Sequence, residues 1–397
     1  MTRVLLAFDK FKGSLTAAQA CEAAATALRG LHPSWALDLC PLTDGGEGFA
    51  EILTRAGGGT LHQVEAAGPR GDPVVARFGL VRFGAVPAAA RDLLGLPALA
   101  DDADVAMVEL AQASGLARLP SAGRDPWQTS TQGTGQVIQA AVGLGARAIV
   151  LGVGGSATHD LGLGVLGALG LKFYSDLGEP LVPPVPALWA RLTRIGGRLP
   201  PSLPPLRLAC DVDHPLLGRR GAAAVFGPQK GLHADDLRRL EHASARIALM
   251  LGAFSGQSDT LMDVPGAGAA GGTAFGLLCA AGARLVPGSA LVASWLGLES
   301  RLAAADLVLT GEGCFDASSL AGKGPGALAA RARALGRPAH IFAGRSEVAS
   351  IPAGTTLHLI TPAGAPEEAA MRNAGANLTQ TVRAVFLPAD RPGKSPV

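Results

Sequence analysis

The chain has 397 residues, of which 48% are hydrophobic and 17% charged, a composition that suits two globular domains and excludes a disordered chain. The net charge is +2 with both signs scattered, and no apolar run approaches the roughly 20 residues of a membrane helix, so we expect neither a nucleic-acid nor a membrane partner. Five cysteines without C-x-x-C spacing and an N-terminus without a cleavage site favour a cytoplasmic protein. The pattern does not indicate an oligomeric state.

The first part of the chain alternates between predicted strands and helices. A capping box of Thr16 and Gln19 precedes an Ala-rich helix, and short apolar runs that alternate around Gly and Pro predict a mixed or antiparallel sheet. In chain order we predict a strand at 3–8, a helix at 16–30, a strand at 36–40, a helix at about 47–56 and these short strands at about 61–110.

The rest of the chain returns to alternating elements after one interruption. Residues 180–205 carry eight prolines, which predicts a loop without regular elements. The predicted helices are at about 133–144, 234–252, 269–283 and 325–335, and the predicted strands are at 148–153, 206–212, 305–311, 340–344 and 357–362.

This order of elements predicts the α/β class with two domains. We expect a doubly wound, Rossmann- or flavodoxin-like parallel-sheet domain that is discontinuous and interrupted by a mixed α+β domain. The first would comprise 1–64, 128–168 and 295–397, and the second 65–127 and 169–294. Because open α/β sheets bind ligands beyond the carboxyl ends of their strands, we expect the active site in the cleft between the domains.

Five glycine-rich segments carry most of the chemical information. They are PLTDGGEG (41–48), LGVGGSATHDLGLG (151–164), FGPQKG (226–231), PGAGAAGG (265–272) and TGEGCFDASSLAGKG (310–324). Glycine lets backbone N–H groups approach an anion closely, and most of these segments also contain a carboxylate, a lysine or a small hydroxyl. This combination predicts a polyphosphate held together with a metal ion against a small polar substrate.

Each candidate residue could also have a purely structural role, because tight turns, turn aspartates and solvated surface lysines give the same sequence patterns. We predict nucleotide or phosphate contacts for Gly45, Gly46, Gly154, Gly155, Ser156, Thr158, Gly271, Gly272 and Glu312. We predict catalytic roles for Asp160, Asp44, Lys230 and Asp211, with Asp160 the first choice for the catalytic base or a Mg²⁺ ligand. Metal contacts are predicted for Asp44, Asp211 and Glu312, and substrate contacts for Asp9, Lys12, Ser14, Asp213 and Lys323.

Lysine placement supports several of these choices. Only six of the 34 basic residues are lysines, yet Lys12, Lys230 and Lys323 lie in or beside glycine motifs. An ammonium group is a compact point charge that suits phosphate. Asp211 and Asp213 follow a predicted strand two residues apart, so we expect them to face the same side and to suit Mg²⁺ coordination or base catalysis.

Two other protein classes remain open on these residues. Residues 152–157 fit G-x-G-x-x-A after a strand, with Asp176 following 24 residues after Gly152, which is typical of a dinucleotide-dependent oxidoreductase. A non-catalytic, two-lobed ligand-binding protein is the second alternative. The chain has no GxxxxGK[ST] motif and no HRD or DFG set, so neither a P-loop kinase nor a protein kinase is expected.

Nine segments in order resemble the type 1 glycerate kinase family. They are DKFKGSLTAAQA (9–20), PLTDGGEG (41–48), VELAQASGL (108–116), STQGTG (130–135), GVGGSATHD (152–160), ACDVDHPLLG (209–218), GAAAVFGPQKG (221–231), PGAGAAGG (265–272) and LTGEGCFDASSLAGKGP (309–325). The resemblance implies ATP-dependent phosphorylation of D-glycerate with Mg²⁺. The usual bacterial product is 2-phosphoglycerate, and some relatives give the 3-phosphate.

The sequence departs from this family's pattern at five positions. They are Lys10 for a usual Ser, His159 for Asn, Leu161 for Gly, Cys314 for Arg and Ser318 for Gln. If the usual Arg binds the glycerate carboxylate, another group must do so here, and Lys10 supplies a charge nearby. Activity on another small hydroxy acid is therefore an open alternative.

Overall fold

A computed structural model describes residues 1–320, 324–348, 351 and 354–387. Its β-strands are β1 (Arg3–Phe8), β2 (Ala36–Leu39), β3 (Thr60–Ala67), β4 (Pro73–Arg82), β5 (Asp104–Glu109), β6 (Ala148–Gly152), β7 (Leu171–Ser175), β8 (Leu192–Gly197), β9 (Leu206–Ala209), β10 (Arg284–Val286), β11 (Leu307–Phe315), β12 (Ala339–Ser346) and β13 (Thr355–Leu359). These strands form two larger sheets and one separate hairpin.

The α-helices are α1 (Ala17–Leu31), α2 (Phe49–Ala56), α3 (Ala88–Leu94), α4 (Ala111–Ser114), α5 (Gln132–Gly143), α6 (Leu163–Ala168), α7 (Ala222–Phe226), α8 (Leu237–Ser255), α9 (Ala269–Ala281), α10 (Gly288–Trp295), α11 (Leu298–Ala304), α12 (Ala317–Leu320), α13 (Gly324–Ala334), α14 (Glu367–Arg372) and α15 (Ala374–Phe386). Within the described ranges, none of them is both long and apolar enough to cross a membrane.

The first compact unit comprises the described residues of 1–43 and 296–397. Its sheet has the order β13-β12-β11-β1-β2, and all neighbouring strands are parallel. The chain runs outward from β1 in one direction and from β11 in the other, so the strand order reverses between these two strands. Such a reversal places the loops after β1 and β11 beside each other, where α/β folds bind ligands.

The second compact unit comprises residues 44–295. Its six-stranded sheet has the order β10-β9-β6-β5-β4-β3, antiparallel among β3, β4 and β5 and parallel from β5 to β10. The hairpin of β7 and β8 stands apart from this sheet. The carboxyl ends of β6 and β9 lead into the glycine-rich loop at 153–162 and into the CDVDHP segment.

Most of the predicted elements are confirmed. The Thr16–Gln19 capping box precedes α1, with the Thr16 side chain accepting from Gln19 N and the Gln19 side chain accepting from Thr16 N. The α/β class, with a parallel sheet and a mixed sheet, is also as predicted. Residues 44–64 and 128–168, which we assigned to the doubly wound domain, lie in the second unit because β6 pairs with β5 and β9 of its sheet.

Two local predictions were wrong. The proline-rich stretch 180–205 contains β8, which pairs with β7, so it is not entirely a loop. Strand β9 ends at Ala209 and not at Val212, because the chain turns away after its last pairing with β6 and β10. Asp211 and Asp213 therefore lie beyond the strand, where the alternation of strand side chains no longer governs their direction.

Candidate active site

The glycine-rich loop that follows β6 holds several buried polar groups. Ser156 is 7% exposed, while Thr158 and Asp160 are fully buried. Lys230, which is 2% exposed, reaches this loop from the FGPQKG segment. Its Nζ donates to Ser156 Oγ at 2.8 Å and to the Thr158 carbonyl at 2.7 Å. The structure thus brings together three residues that we predicted from two separate motifs.

Asp160 is enclosed by donors. Its Oδ2 accepts from Thr131 N at 2.7 Å, Thr131 Oγ1 at 2.8 Å, Gly164 N at 3.1 Å and Ser130 Oγ at 3.5 Å, and its Oδ1 accepts from Gly162 N at 3.2 Å. These contacts join the loop to the first residues of α5 and α6. A carboxylate with this many donors and no exposure holds backbone in place, which is a different role from the base that we predicted.

Burial shifts the titration of three neighbouring groups. It raises the pKa of Asp160, although hydrogen bonds from Thr131, Gly164 and Gly162 oppose the shift. It lowers the pKa of Lys230 to about 7, against the attraction of the Asp160 charge. It also lowers the pKa of His159 to about 3, with the Lys230 charge acting in the same direction. The cluster therefore contains a histidine that is neutral at pH 7 and a lysine that titrates near neutrality.

Close contact between loops accounts for several of the predicted phosphate-binding glycines. Gly154 N donates to the Gly45 carbonyl at 3.1 Å, and a Cβ on Gly154 would lie 2.7 Å from Cα of Gly46. A Cβ on Gly271 would lie 2.1 Å from the Thr158 carbonyl oxygen. Since these distances exclude any side chain, the glycines are needed for packing whether or not they also bind phosphate.

The PGAGAAGG segment has an unusual backbone. Ala270, Gly271 and Gly272 all have positive φ, so the regular part of α9 begins only after them. Leu161, at a position where the family pattern has Gly, also has a positive φ of 50°. A left-handed conformation at a non-glycine residue stores strain, which the surrounding packing must offset.

The remaining predicted carboxylates of the second unit have different surroundings. Asp44 is exposed, and its Oδ1 accepts from Gly46 N at 3.1 Å. Asp211 accepts from Ser289 through both oxygens, at 2.8 Å from N and 3.1 Å from Oγ, and so caps α10. Asp213 is exposed and pairs with Arg220 at 2.7 Å. The structure therefore does not give Asp211 and Asp213 a shared set of partners.

Sequence reasoning missed one buried acid in this unit. Glu109, at the end of β5, is 1% exposed, and its Oε2 accepts from Gly48 N at 3.0 Å and Ala50 N at 3.3 Å at the start of α2. Burial raises its pKa to about 7, and the hydrogen bonds from Ala50, Gln112 and Gly48 limit the shift. An acid that ends an apolar strand, as in DVAMVE, was the available signal.

The first unit gathers carboxylates at the point where its strand order reverses. Asp9 follows β1 and donates its backbone N–H to the Gly311 carbonyl at 3.0 Å, and Glu312 follows Gly311 in β11. Burial, together with the charges of Asp9 and Asp316, raises the pKa of Glu312 to about 7, and the Ser319 hydrogen bond and the Lys10 charge oppose this shift. Glu312 Oε1 is buried and has no hydrogen-bond partner in the described part of the chain.

The predicted substrate contacts of the first unit are less uniform. Lys10 Nζ lies 3.7 Å from Asp9 Oδ1. Lys12 is exposed, and Ser14 Oγ donates to the Phe11 carbonyl at 3.0 Å. Lys323 lies outside the described residues. Cys314, which replaces a usual Arg, accepts from Arg345 Nε at 3.2 Å, so a guanidinium group still lies next to this position.

A magnesium ion must be judged by the donors that are present. In the ranges described, no group of three or more His, Cys, Asp or Glu side chains is arranged to hold a metal ion by itself. Mg²⁺ usually takes only one or two protein carboxylates and obtains its other ligands from phosphates and water. The unpartnered oxygen of Glu312 beside two further carboxylates fits such a partial site, whereas Asp211 already uses both oxygens in capping α10.

Comparison with known proteins gives the family. The profile described as "Glycerate kinase family" matches residues 4–388. The chain is 36% identical to the Bacillus subtilis glycerate kinase over 96% of each chain, and 34% identical to the Escherichia coli K12 glycerate 2-kinase over 86% of this chain and 85% of that one. A crystal structure of the Salmonella typhimurium LT2 protein designated glycerate kinase 2 matches with a TM-score of 0.73 and 34% identity, over 97% of both chains.

The chain belongs to the glycerate kinase family. This confirms the resemblance carried by the nine segments, and it makes the protein a phosphotransferase. The dinucleotide-dependent oxidoreductase and the non-catalytic binding protein are correspondingly disfavoured. The buried His159 and the Cys314–Arg345 contact lie at two of the five positions where the sequence departs from the pattern of the nine segments.

His159 leads to a prediction about acid stability. Its Nε2 donates to Ser244 Oγ at 3.1 Å, since the Ser244 hydroxyl itself donates to the Leu240 carbonyl. The folded-state pKa, about 3, lies below the ordinary value of 6.5, so the unfolded chain binds a proton first as the pH falls. The stability that neutral His159 contributes is therefore complete above pH 6.5, and about 2 kcal/mol of it is lost by pH 5.

The test compares variants at two pH values. Between pH 7.5 and pH 5, we expect His159→Asn to lose about 2 kcal/mol less unfolding free energy than the wild type, as measured by urea denaturation. Exposed His233 provides the control, and His233→Asn should follow the wild type. If His159→Asn shows the same pH dependence as the wild type, burial does not keep His159 neutral.

Proposed function

We propose that this protein transfers the γ-phosphoryl group of ATP to D-glycerate and gives 2-phosphoglycerate. The name of the Escherichia coli relative, glycerate 2-kinase, supports the position of transfer. The observation that carries the proposal is the Lys230–Ser156 contact within the glycine-rich loop of a chain that belongs to the glycerate kinase family. The 3-phosphate as product and another small hydroxy acid as substrate are the alternatives.

In the second unit, Lys230 positions a hydroxyl group for the nucleotide. Because the ammonium group donates to Ser156 Oγ, the Ser156 hydroxyl is free to donate its own proton to a phosphate oxygen. The Thr158 hydroxyl is buried and has no partner within the described residues, so it is a second candidate donor. Preorganised donors of this kind stabilise the charge that develops on the transferring group.

The carboxylates take separate roles. Asp160 holds the beginnings of α5 and α6 and so fixes the loop that carries Ser156 and Thr158. Exposed Asp44 is the carboxylate of this unit that we propose to orient the substrate hydroxyl. In the first unit, Glu312 would hold Mg²⁺, with Asp9 and Asp316 adding negative charge. When bound, Mg²⁺ would neutralise the phosphate oxygens.

A coupled assay of ADP release tests the proposed reaction. We expect turnover that requires ATP, Mg²⁺ and D-glycerate together. L-glycerate, lactate and glycolate at the same concentration should give at most a small fraction of that rate. Turnover with one of these acids that exceeds turnover with D-glycerate would identify a different substrate, and ADP release that does not depend on any acid would contradict the proposal.

A further inference from the structure

The second unit contains a cavity of about 430 Å³ whose walls belong mainly to α6, to β7 and to the proline-rich segment after β7. Gly167 and Ala168 form one side, Phe173 and Tyr174 another, and Pro180–Pro184 a third. Cavities of this size are typical of small-molecule sites in proteins. None of the residues predicted to act in catalysis lines it.

The walls of the cavity are mostly apolar, and Gln132 and Tyr174 add polar groups to them. Phe173 is buried, and the Tyr174 ring is held by Arg194, whose guanidinium carbon lies 3.9 Å from the ring centroid. Gln132 lines the cavity at the start of α5, and its side-chain amide makes no hydrogen bond to any residue that the structure describes. A primary amide offers a donor and an acceptor side by side, which is the pair that adenine presents at N6 and N7.

One end of the cavity adjoins the loop that we propose to hold phosphate. Gly164 lines the cavity, and a Cβ on Gly164 would lie 2.8 Å from Asp160 Oδ2 and 2.4 Å from Ser130 Oγ. The cavity and the polar cluster around Asp160 are therefore separated by a single residue without a side chain. An apolar space with an amide suits the flat base of a nucleotide, and the loop that contains Asp160 also carries Ser156 and Thr158, which we propose as phosphate donors.

We propose that this cavity binds the adenine base of the nucleotide. The inference rests on the proposed function, because it assigns a subsite to the ATP which that reaction consumes. Gln132 reads the edge of the base, and Phe173 and Tyr174 supply the apolar surface. Lys172 is exposed and also lines the cavity.

The single tyrosine of the chain gives a direct probe. Tyr174 is the only tyrosine among the 397 residues, so protein labelled with 3-fluorotyrosine has one ¹⁹F resonance, and it reports on the cavity. We expect adenosine and ATP each to shift this resonance in a saturable manner and to compete, whereas D-glycerate leaves it unchanged. An ATP concentration that saturates turnover without moving the resonance would overturn the proposal.

Gly167→Leu fills the cavity. A Cβ there meets only Phe173, at 3.5 Å, and Gly167 has no positive φ, so the backbone accepts a side chain. We expect the KM for ATP to rise at least tenfold, equivalent to about 1.4 kcal/mol, with kcat and the KM for D-glycerate nearly unchanged. Gly143→Leu, with no atom within 4 Å of the added Cβ, is the matched control. An unchanged KM for ATP in folded Gly167→Leu would contradict the proposal.

The two readouts separate this inference from the proposed function. If the wild type does not phosphorylate D-glycerate but adenosine still shifts the ¹⁹F resonance, the reaction is wrong and the base site is supported. If the wild type is active and neither adenosine nor ATP shifts the resonance, the reaction is right and the base site is wrong. The wild-type measurement alone decides the matter if Gly167→Leu fails to fold.

Discussion

Replacing Lys230 by methionine is expected to lower kcat by about 10²- to 10³-fold, because Ser156 loses the partner that orients its hydroxyl and loss of one preorganised donor to a developing charge usually has an effect of this size. Methionine nearly fills the same volume but donates no hydrogen bond, so Ser156 Oγ and the Thr158 carbonyl lose their partner. Removing a buried cation also relieves its desolvation, which offsets much of the lost bonding. We therefore expect a much larger effect on turnover than on the urea midpoint.

A double-mutant cycle shows whether Lys230 acts through Ser156. We expect Lys230→Met combined with Ser156→Ala to be about as slow as the slower single variant, because the two changes disable one unit. Losses that multiply would mean that the two side chains act independently, and Lys230 would then have to contact the phosphoryl group itself. The pH profile of turnover is a further readout. Because the pKa of Lys230 is about 7, its titration can affect the profile of the wild type but not that of Lys230→Met.

Asp160→Asn is expected to lower the free energy of unfolding by about 2–4 kcal/mol. The carboxylate accepts from five donors, and an amide must turn its own NH₂ group towards at least one of them. A buried N–H that faces another N–H loses a hydrogen bond on each side. The urea midpoint followed by tryptophan fluorescence measures the loss, and exposed Asp92→Asn should stay close to the wild type.

The same variant separates the two roles of Asp160. If Asp160 fixes the loop, the folded fraction of Asp160→Asn should retain measurable turnover, with the stability loss as its main defect. An unchanged urea midpoint together with abolished turnover would instead restore Asp160 as the catalytic base that its place in the GGSATHD motif first indicated.

Much of the fold followed from local patterns. The Thr16–Gln19 box, the apolar run of β1 and the buried run of β6 each specify an element through contacts within a few residues. The β7–β8 hairpin did not follow from a local pattern. The prolines on either side of β8 predict a loop, and the pairing of β8 with β7 depends on residues about twenty positions away. The grouping of β6 with the second unit likewise depends on which strands it pairs with, which no local pattern encodes.

For the candidate site, the sequence indicated the correct motifs more reliably than the role of each residue. Ser156, Thr158 and Lys230 do lie together, as their motifs suggested. Asp160 was chosen for its place in a glycine-rich motif and Asp211 for its place beside Asp213 after a strand, yet in the structure both hold the beginnings of helices. Whether an acid faces solvent or a helix N-terminus depends on tertiary packing, and so does the burial that raises the pKa of Glu109 and Glu312 to about 7.

The most direct test of the whole account is ³¹P NMR of the product formed from ATP, Mg²⁺ and D-glycerate. We expect the signal of 2-phosphoglycerate to grow as ATP is consumed. A 3-phosphoglycerate signal would contradict the assigned position of transfer while keeping the kinase, and the absence of any phosphorylated glycerate from folded, ATP-binding enzyme would contradict the proposed substrate.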